Sequence, residues 1–160
     1  MMKVKEKTCC FTGHRDIPKK LYPKIKKRLK HEIKRLISQG VLYFGCGGAQ
    51  GFDTLCAQMV LKLKRKYPDV KLIMVLPFPG QADLWQADDV RRYESIKRQA
   101  DKVVMVCEQY QPGCYHKRNR HLVDNSGHCI CYLTRASGGT ACTVAYAQRQ
   151  GCSVTNLAGQ

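Results

Sequence analysis

The chain has 160 residues and a mass of 18.2 kDa, and 44% of its residues are hydrophobic. That is enough to fill the core of a single domain over residues 1–160 without a disulfide or a metal. No run approaches the ~18 apolar residues of a spanning helix, and the segment after Met1 does not read as a signal peptide, so a soluble, cytoplasmic protein with no membrane partner is expected. The formal charge is +16, and residues 1–40 alone hold thirteen Lys and Arg against three Asp and Glu. Such an excess favours phosphate-bearing partners, nucleic acid among them, although the same lysines suit the solvated face of an amphipathic helix.

In chain order, Thr8 to Thr12 is a short apolar run ending at Gly13, and it reads as a first strand. Leu21, Ile25, Leu29, Ile33, Leu36 and Ile37 recur at spacings of three and four, predicting a helix that begins near Pro18 or Pro23 and stops at Gly40. Val41 to Phe44 reads as the second strand, and Phe52, Leu55, Cys56, Met59, Val60 and Leu63 as the stripe of a second helix. Lys71 to Leu76 is apolar on both faces, as a covered strand is, and Pro77-Phe78-Pro79-Gly80 ends it. A helix through Val90, Tyr93, Ile96 and Ala100, a strand over Lys102 to Cys107, a short helix over Arg118 to Val123 and a strand over Cys129 to Leu133 follow. A helix over Ala141 to Gln150 and a strand over Ser153 to Leu157 close the pattern.

Strands alternating with helices imply right-handed crossovers. The expected fold is therefore α/β, a Rossmann-like three-layer sandwich on a mainly parallel sheet, with ligands at the carboxyl edge where strand order reverses. Of the ten cysteines, Cys9, Cys10, Cys56, Cys107, Cys129, Cys131 and Cys142 lie in apolar segments and are expected in the core. Cys129 and Cys131 lack the second pair that a structural zinc site needs, so neither a metal nor a cofactor is expected.

Three glycine turns fall on the predicted carboxyl edge: Thr12-Gly13-His14-Arg15, Gly45 to Asp53, and Ser137-Gly138-Gly139-Thr140. Each can present backbone amides and a helix N-terminus to an anion, and together they suggest one shared site. The second turn is neither a dinucleotide fingerprint, because Gln50 stands where GxGxxG needs glycine, nor a P-loop, because no Lys-Ser/Thr pair follows. What remains is a phosphate cradle at Gly47, Gly48 and Gly51. Asp53 is placed either to accept ribose hydroxyls or simply to complement the helix dipole.

Arg118 suits bidentate contact with phosphate, with the bland alternative of a surface arginine in a basic chain. His14 and Arg15 stand at the same edge, the ring for a base and the guanidinium for a phosphate. Phe78 and Trp85 can wall a base or ribose, or Trp85 can be a core anchor. Cys46 and Cys142 lie near helix N-termini that lower a thiol pKa, but no partner base is visible.

The order and spacing of Thr12-Gly13-His14-Arg15, Gly47-Gly48-Ala49-Gln50-Gly51-Phe52-Asp53, Pro77-Phe78 with Gln81 and Trp85, Arg118-Asn119, and Gly138-Gly139-Thr140 with Tyr146-Ala147 resemble the YpsA-like branch of the SLOG superfamily. The resemblance spans nearly the whole chain. It implies a Rossmann-like fold related to the LOG phosphoribohydrolases and to the DNA-processing protein DprA, and a site for a nucleotide-derived small molecule that includes Thr12, Gly13 and Asn119 beside the residues above. It also implies a possible homodimer.

His116-Lys117-Arg118-Asn119 resembles the first LOG motif, whereas Cys142 and Thr143 stand where the second carries glutamates. An N-glycosidase needs a carboxylate near the breaking bond, so binding or sensing is expected rather than hydrolysis. The alternatives are a nucleoside 5′-monophosphate phosphoribohydrolase using Asp53 or Asp124, and DprA-like single-stranded nucleic-acid binding through the basic first helix.

Overall fold

The apolar run at the start of the chain becomes β1 (Thr8–Gly13), with Cys9 and Phe11 facing one side of the sheet and Cys10 the other. In the computed structural model, which describes residues 2–159, a 3-10 turn over Lys19–Leu21 then leads into α1 (Tyr22–Ser38). Pro23 lies in the first turn of that helix, where its missing N–H costs nothing. Ile25, Leu29, Ile33 and Leu36 are the buried stripe, and the lysines between them face outward.

The end of α1 shifts the next strand. Gly40, at φ +98°, donates to Ile37 O, and Val41 donates to Leu36 O. This is a Schellman closure, and the buried Val41 belongs to it rather than to the sheet. The second strand, expected from Val41, is consequently β2 (Tyr43–Cys46).

Then follow α2 (Phe52–Lys64), β3 (Lys71–Leu76), α3 (Ala87–Gln99), β4 (Lys102–Met105), α4 (Cys114–Asp124), β5 (His128–Tyr132), α5 (Gly139–Arg149) and β6 (Ser153–Asn156). All five pairings are parallel, in the order β4-β3-β2-β1-β5-β6, so the expected mainly parallel sheet is parallel throughout. The chain leaves β1 for α1 on one face and leaves β5, its other neighbour, for α5 on the opposite face. The carboxyl ends of β1 and β5 therefore flank the crevice where the strand order reverses.

Helices α1, α2 and α3 pack one core around Phe11, Phe44, Phe52, Leu29, Ile33 and Leu72. Helices α4 and α5 pack the other around Cys10, Leu122, Val123, Cys129, Cys131 and Val144. All ten cysteines are unpaired thiols; nine are buried, and only Cys142, expected in the core, is exposed on α5. Among the described residues no cluster suited to a metal occurs, and no helix is long and apolar enough to cross a membrane.

Candidate functional site at the carboxyl edge

Arg118, in the second turn of α4, is only 4% exposed. Its Nη1 donates to the carbonyl of Gly47 and, at 3.5 Å, to Gln81 Oε1, and its Nε donates to Asn119 Oδ1 at 2.8 Å. Nη2 meets no acceptor among the described residues, and no described carboxylate stands within ion-pair distance of the guanidinium. Burial pulls the Arg118 pKa down, and the nearby Asp53 charge pulls it back up. A guanidinium buried with neutral hydrogen-bond partners and no carboxylate in direct contact, Asp53 acting on it only from a distance, is a site that favours an anion.

The guanidinium lines a cavity of about 180 Å³ together with Thr12, Gly13, Arg15, Asp53, Tyr115, Asn119, Gly139 and Thr140. Its floor is the N-terminus of α5, whose cap, Gly138, adopts φ +103°. The amides of Gly139, Thr140 and Ala141 precede the first intrahelical bond, made by Cys142 to Gly138 O, so they remain as donors at the positive end of the helix. A Cβ added at Gly139 would meet nothing within 4 Å. Arg15 reaches the same space from the loop after β1, and the rings and cations interleave: Arg15 lies 5.5 Å and Arg118 5.7 Å from the centroid of Tyr115. Cation–π contact of this kind holds two like-charged groups near each other.

Asp53 opens α2 and is 7% exposed. Its Oδ2 accepts the Ala49 N–H at 3.1 Å, tying the Gly47–Gly51 loop to the helix. Burial pushes its carboxyl above the usual carboxylate range, with Arg118, the Ala49 amide and Arg15 opposing. It is the only carboxylate among the residues lining the cavity.

The glycines of the second turn stand behind the cavity and serve close packing. A Cβ on Gly47 would fall 2.6 Å from Arg118 Nη1; one on Gly51, at φ +77°, would fall 2.4 Å from the Arg15 carbonyl oxygen; one on Gly48 would fall 2.8 Å from Leu76. Gly47, Gly48 and Gly51 do not line the cavity, while Gly13, Gly139 and Thr140 do.

His14 is buried beside it rather than in it. Its Nε2 accepts the Thr134 N–H at 3.0 Å, its ring meets Tyr132 edge-on, and burial and then Arg135 hold its pKa below the usual histidine value. Phe78 packs edge-on against Tyr110 and Tyr115, behind the cavity wall. Trp85 does not line this cavity: half-buried, it meets Tyr93 edge-on at the rim of the first core and lines a separate recess with Gln50 and Gln86. Cys46 is buried beside Asp53, and burial raises its thiol instead of the helix N-terminus lowering it.

Two site residues escaped the sequence reading. Tyr115 falls outside the predicted Arg118–Val123 helix, yet α4 begins at Cys114 and puts it one turn before Arg118. Gln81, quoted above only as part of a family pattern, is 6% exposed and donates to Gly47 O at 3.4 Å while facing Arg118 Nη1 through its Oε1.

Residues 10–153 match the profile of the YspA SLOG family, YpsA. The chain is 30% identical over 139 residues to the uncharacterized SPbeta prophage-derived protein YoqJ of Bacillus subtilis, covering 79% of this chain and 81% of that protein. It is 34% identical over 106 residues to a UPF0398 protein of Staphylococcus saprophyticus, covering 61% of this chain and 55% of that one. Among solved structures, DprA from Streptococcus pneumoniae superposes with TM-score 0.67 at 19% identity, over 94% of this chain and 50% of that chain. DprA from Helicobacter pylori, described for its single-stranded DNA binding mode, superposes with TM-score 0.64 at 17% identity, over 92% and 63%. The chain thus spans about half the length of the UPF0398 relative and of the pneumococcal protein.

Proposed function

The chain belongs to the YspA SLOG family, and from that premise we propose that it binds a nucleotide-derived small molecule at the carboxyl edge, with a phosphate held between Arg118 and the first amides of α5. The observation that carries this reading is Arg118: a nearly buried guanidinium with one nitrogen unpartnered, lining a cavity over a helix N-terminus. Phosphate satisfies all of these donors at once. Arg15 adds a second positive group, and Thr12 and Asn119 supply polar contacts for a sugar. A carboxylate positioned for glycosidic cleavage would have to be Asp53, which already holds the Ala49 amide, so binding without turnover is the preferred reading.

The test is calorimetric titration with AMP and ADP-ribose, in parallel with an assay for base release. Saturable binding that Arg118→Gln weakens at least tenfold, with no free base formed, supports the reading. Rapid base release that depends on Asp53 replaces it with the phosphoribohydrolase alternative.

A second reading, single-stranded nucleic-acid binding, is favoured by the likeness to DprA and by the +16 charge. It predicts affinity that falls steeply with salt, as counterion release requires.

A further inference from the structure

Next to the cavity, between α4 and α5, lies a second recess of about 290 Å³ lined by His116, Asn119, Arg120, Cys142, Tyr146 and Arg149, among others. His116 and Asn119 line both spaces, so the two adjoin across the first turns of α4. The second recess shares one feature with the first, two guanidinium groups about a single ring: Arg120 and Arg149, both exposed, lie 5.3 Å and 5.7 Å from the centroid of Tyr146. The ring is fixed in turn, because Tyr146 Oη donates to Asp124 at 2.7 Å.

Neither guanidinium donates a hydrogen bond to a described residue, and neither pairs with a described carboxylate, although Asp124 is on the same ring. Two cations steered onto a tyrosine rather than onto a neighbouring acid leave their N–H edges for an anion.

We propose that this recess is a second phosphate subsite, and that the ligand is a nucleotide carrying a second phosphate separated from the first by the nucleoside. The proposal rests on the reading of the first cavity as a nucleotide-phosphate site. A pyrophosphate is too short for it, because its two phosphorus atoms share one oxygen, whereas Arg118 and Arg120, two residues apart on α4, point away from each other around the helix and stack on different rings, Tyr115 and Tyr146. The spacing fits either a nucleoside 3′,5′-bisphosphate or two linked nucleotides of a short strand.

Calorimetry at 0.15 M salt, which screens the long-range field of the basic chain, separates these cases. The probes are AMP, ADP, adenosine 3′,5′-bisphosphate and the dinucleotide pApA, each titrated into the wild type and into an Arg120→Gln/Arg149→Gln variant. ADP and the bisphosphate carry the same number of phosphates but differ by about one negative charge when fully ionised, so the pair is titrated again at 0.5 M salt, where a preference set by spacing persists and one set by charge alone is screened. The expected result is that the bisphosphate binds about tenfold tighter than ADP, and that the variant loses this preference while keeping its affinity for AMP. A still tighter pApA also supports the subsite and assigns its phosphate to a phosphodiester. Equal binding of ADP and bisphosphate, or a preference that survives in the variant, overturns the second subsite alone. Failure of AMP and all the others to bind overturns the first site together with it.

Discussion

Gly47→Ala isolates the geometry on which the phosphate site depends. Gly47 does not have a positive φ, so alanine is allowed by the backbone, and the substitution adds one methyl group. That methyl would stand 2.6 Å from Arg118 Nη1 and 2.8 Å from Cζ. Ordinary contact begins near 3.4 Å, so the guanidinium must retreat by roughly 0.8 Å, which lengthens its bond to Gly47 O and moves its Nη2 within the cavity.

Loss of the charge-assisted hydrogen bond from the displaced Nη2 to the ligand, about 1.5–3 kcal/mol, corresponds to a roughly 10- to 100-fold weaker complex. Calorimetric titration of AMP into the variant measures this, and thermal denaturation beside it confirms that the variant is folded. AMP affinity within twofold of wild type, in a folded variant, would refute the assignment of Arg118 as the phosphate ligand.

Other perturbations separate site from scaffold. Gly139→Leu places a side chain where a Cβ has open space, so the melting temperature should stay within about 2 °C of wild type while AMP binding is abolished; retained affinity would remove α5 from the site. Gly40→Ala forces a Cβ onto a φ of +98° in the Schellman closure, and a loss of about 1 kcal/mol, seen as a melting temperature lower by about 2–4 °C, is expected. Neutralising Lys26, Lys27 and Lys30 on the solvated face of α1 should leave AMP affinity unchanged within twofold by the same titration.

His14 gives a pH dependence. Its folded pKa is depressed by burial, so the unfolded chain takes up the proton first on acidification; the stabilisation is complete above the unfolded value near ~6.5 and is lost as pH falls through the lower folded value. His14→Gln, whose amide oxygen can still accept the Thr134 N–H, should show a smaller drop in melting temperature between pH 7.5 and 5.5 than the wild type.

The periodicities that made the fold legible are those set by burial. Lys71–Leu76 is covered on both faces and its strand falls on the residues its apolar run marked. The stripe of α1 faces the first core as its spacing requires. Boundaries slipped where a local closure competed with the pattern: Val41 looks like strand but packs against Leu36 in the C-cap of α1, and the start of α4 carries Tyr115, His116 and Lys117, which continue no apolar stripe.

The candidate site was half legible. Gly13, Arg118, Asn119, Gly139 and Thr140 come together around one cavity. Gly47, Gly48 and Gly51 look like phosphate-binding glycines, but sequence does not distinguish a glycine whose amide faces a ligand from one that makes room for a buried arginine or a neighbouring carbonyl. Trp85 was ambiguous for the same kind of reason, since sequence does not say which ring it meets, and it stands edge-on to Tyr93.

The most direct test of the account is a thermal-shift titration with AMP, NAD, ADP-ribose and a short single-stranded DNA, at low and at 0.5 M salt. A ligand at ~100 times its dissociation constant adds about 2.7 kcal/mol, several degrees for a chain of this length. The account predicts a shift with at least one small nucleotide that persists in salt and disappears in Gly139→Leu. A shift with DNA alone that vanishes in salt would contradict it and make the basic surface the functional one.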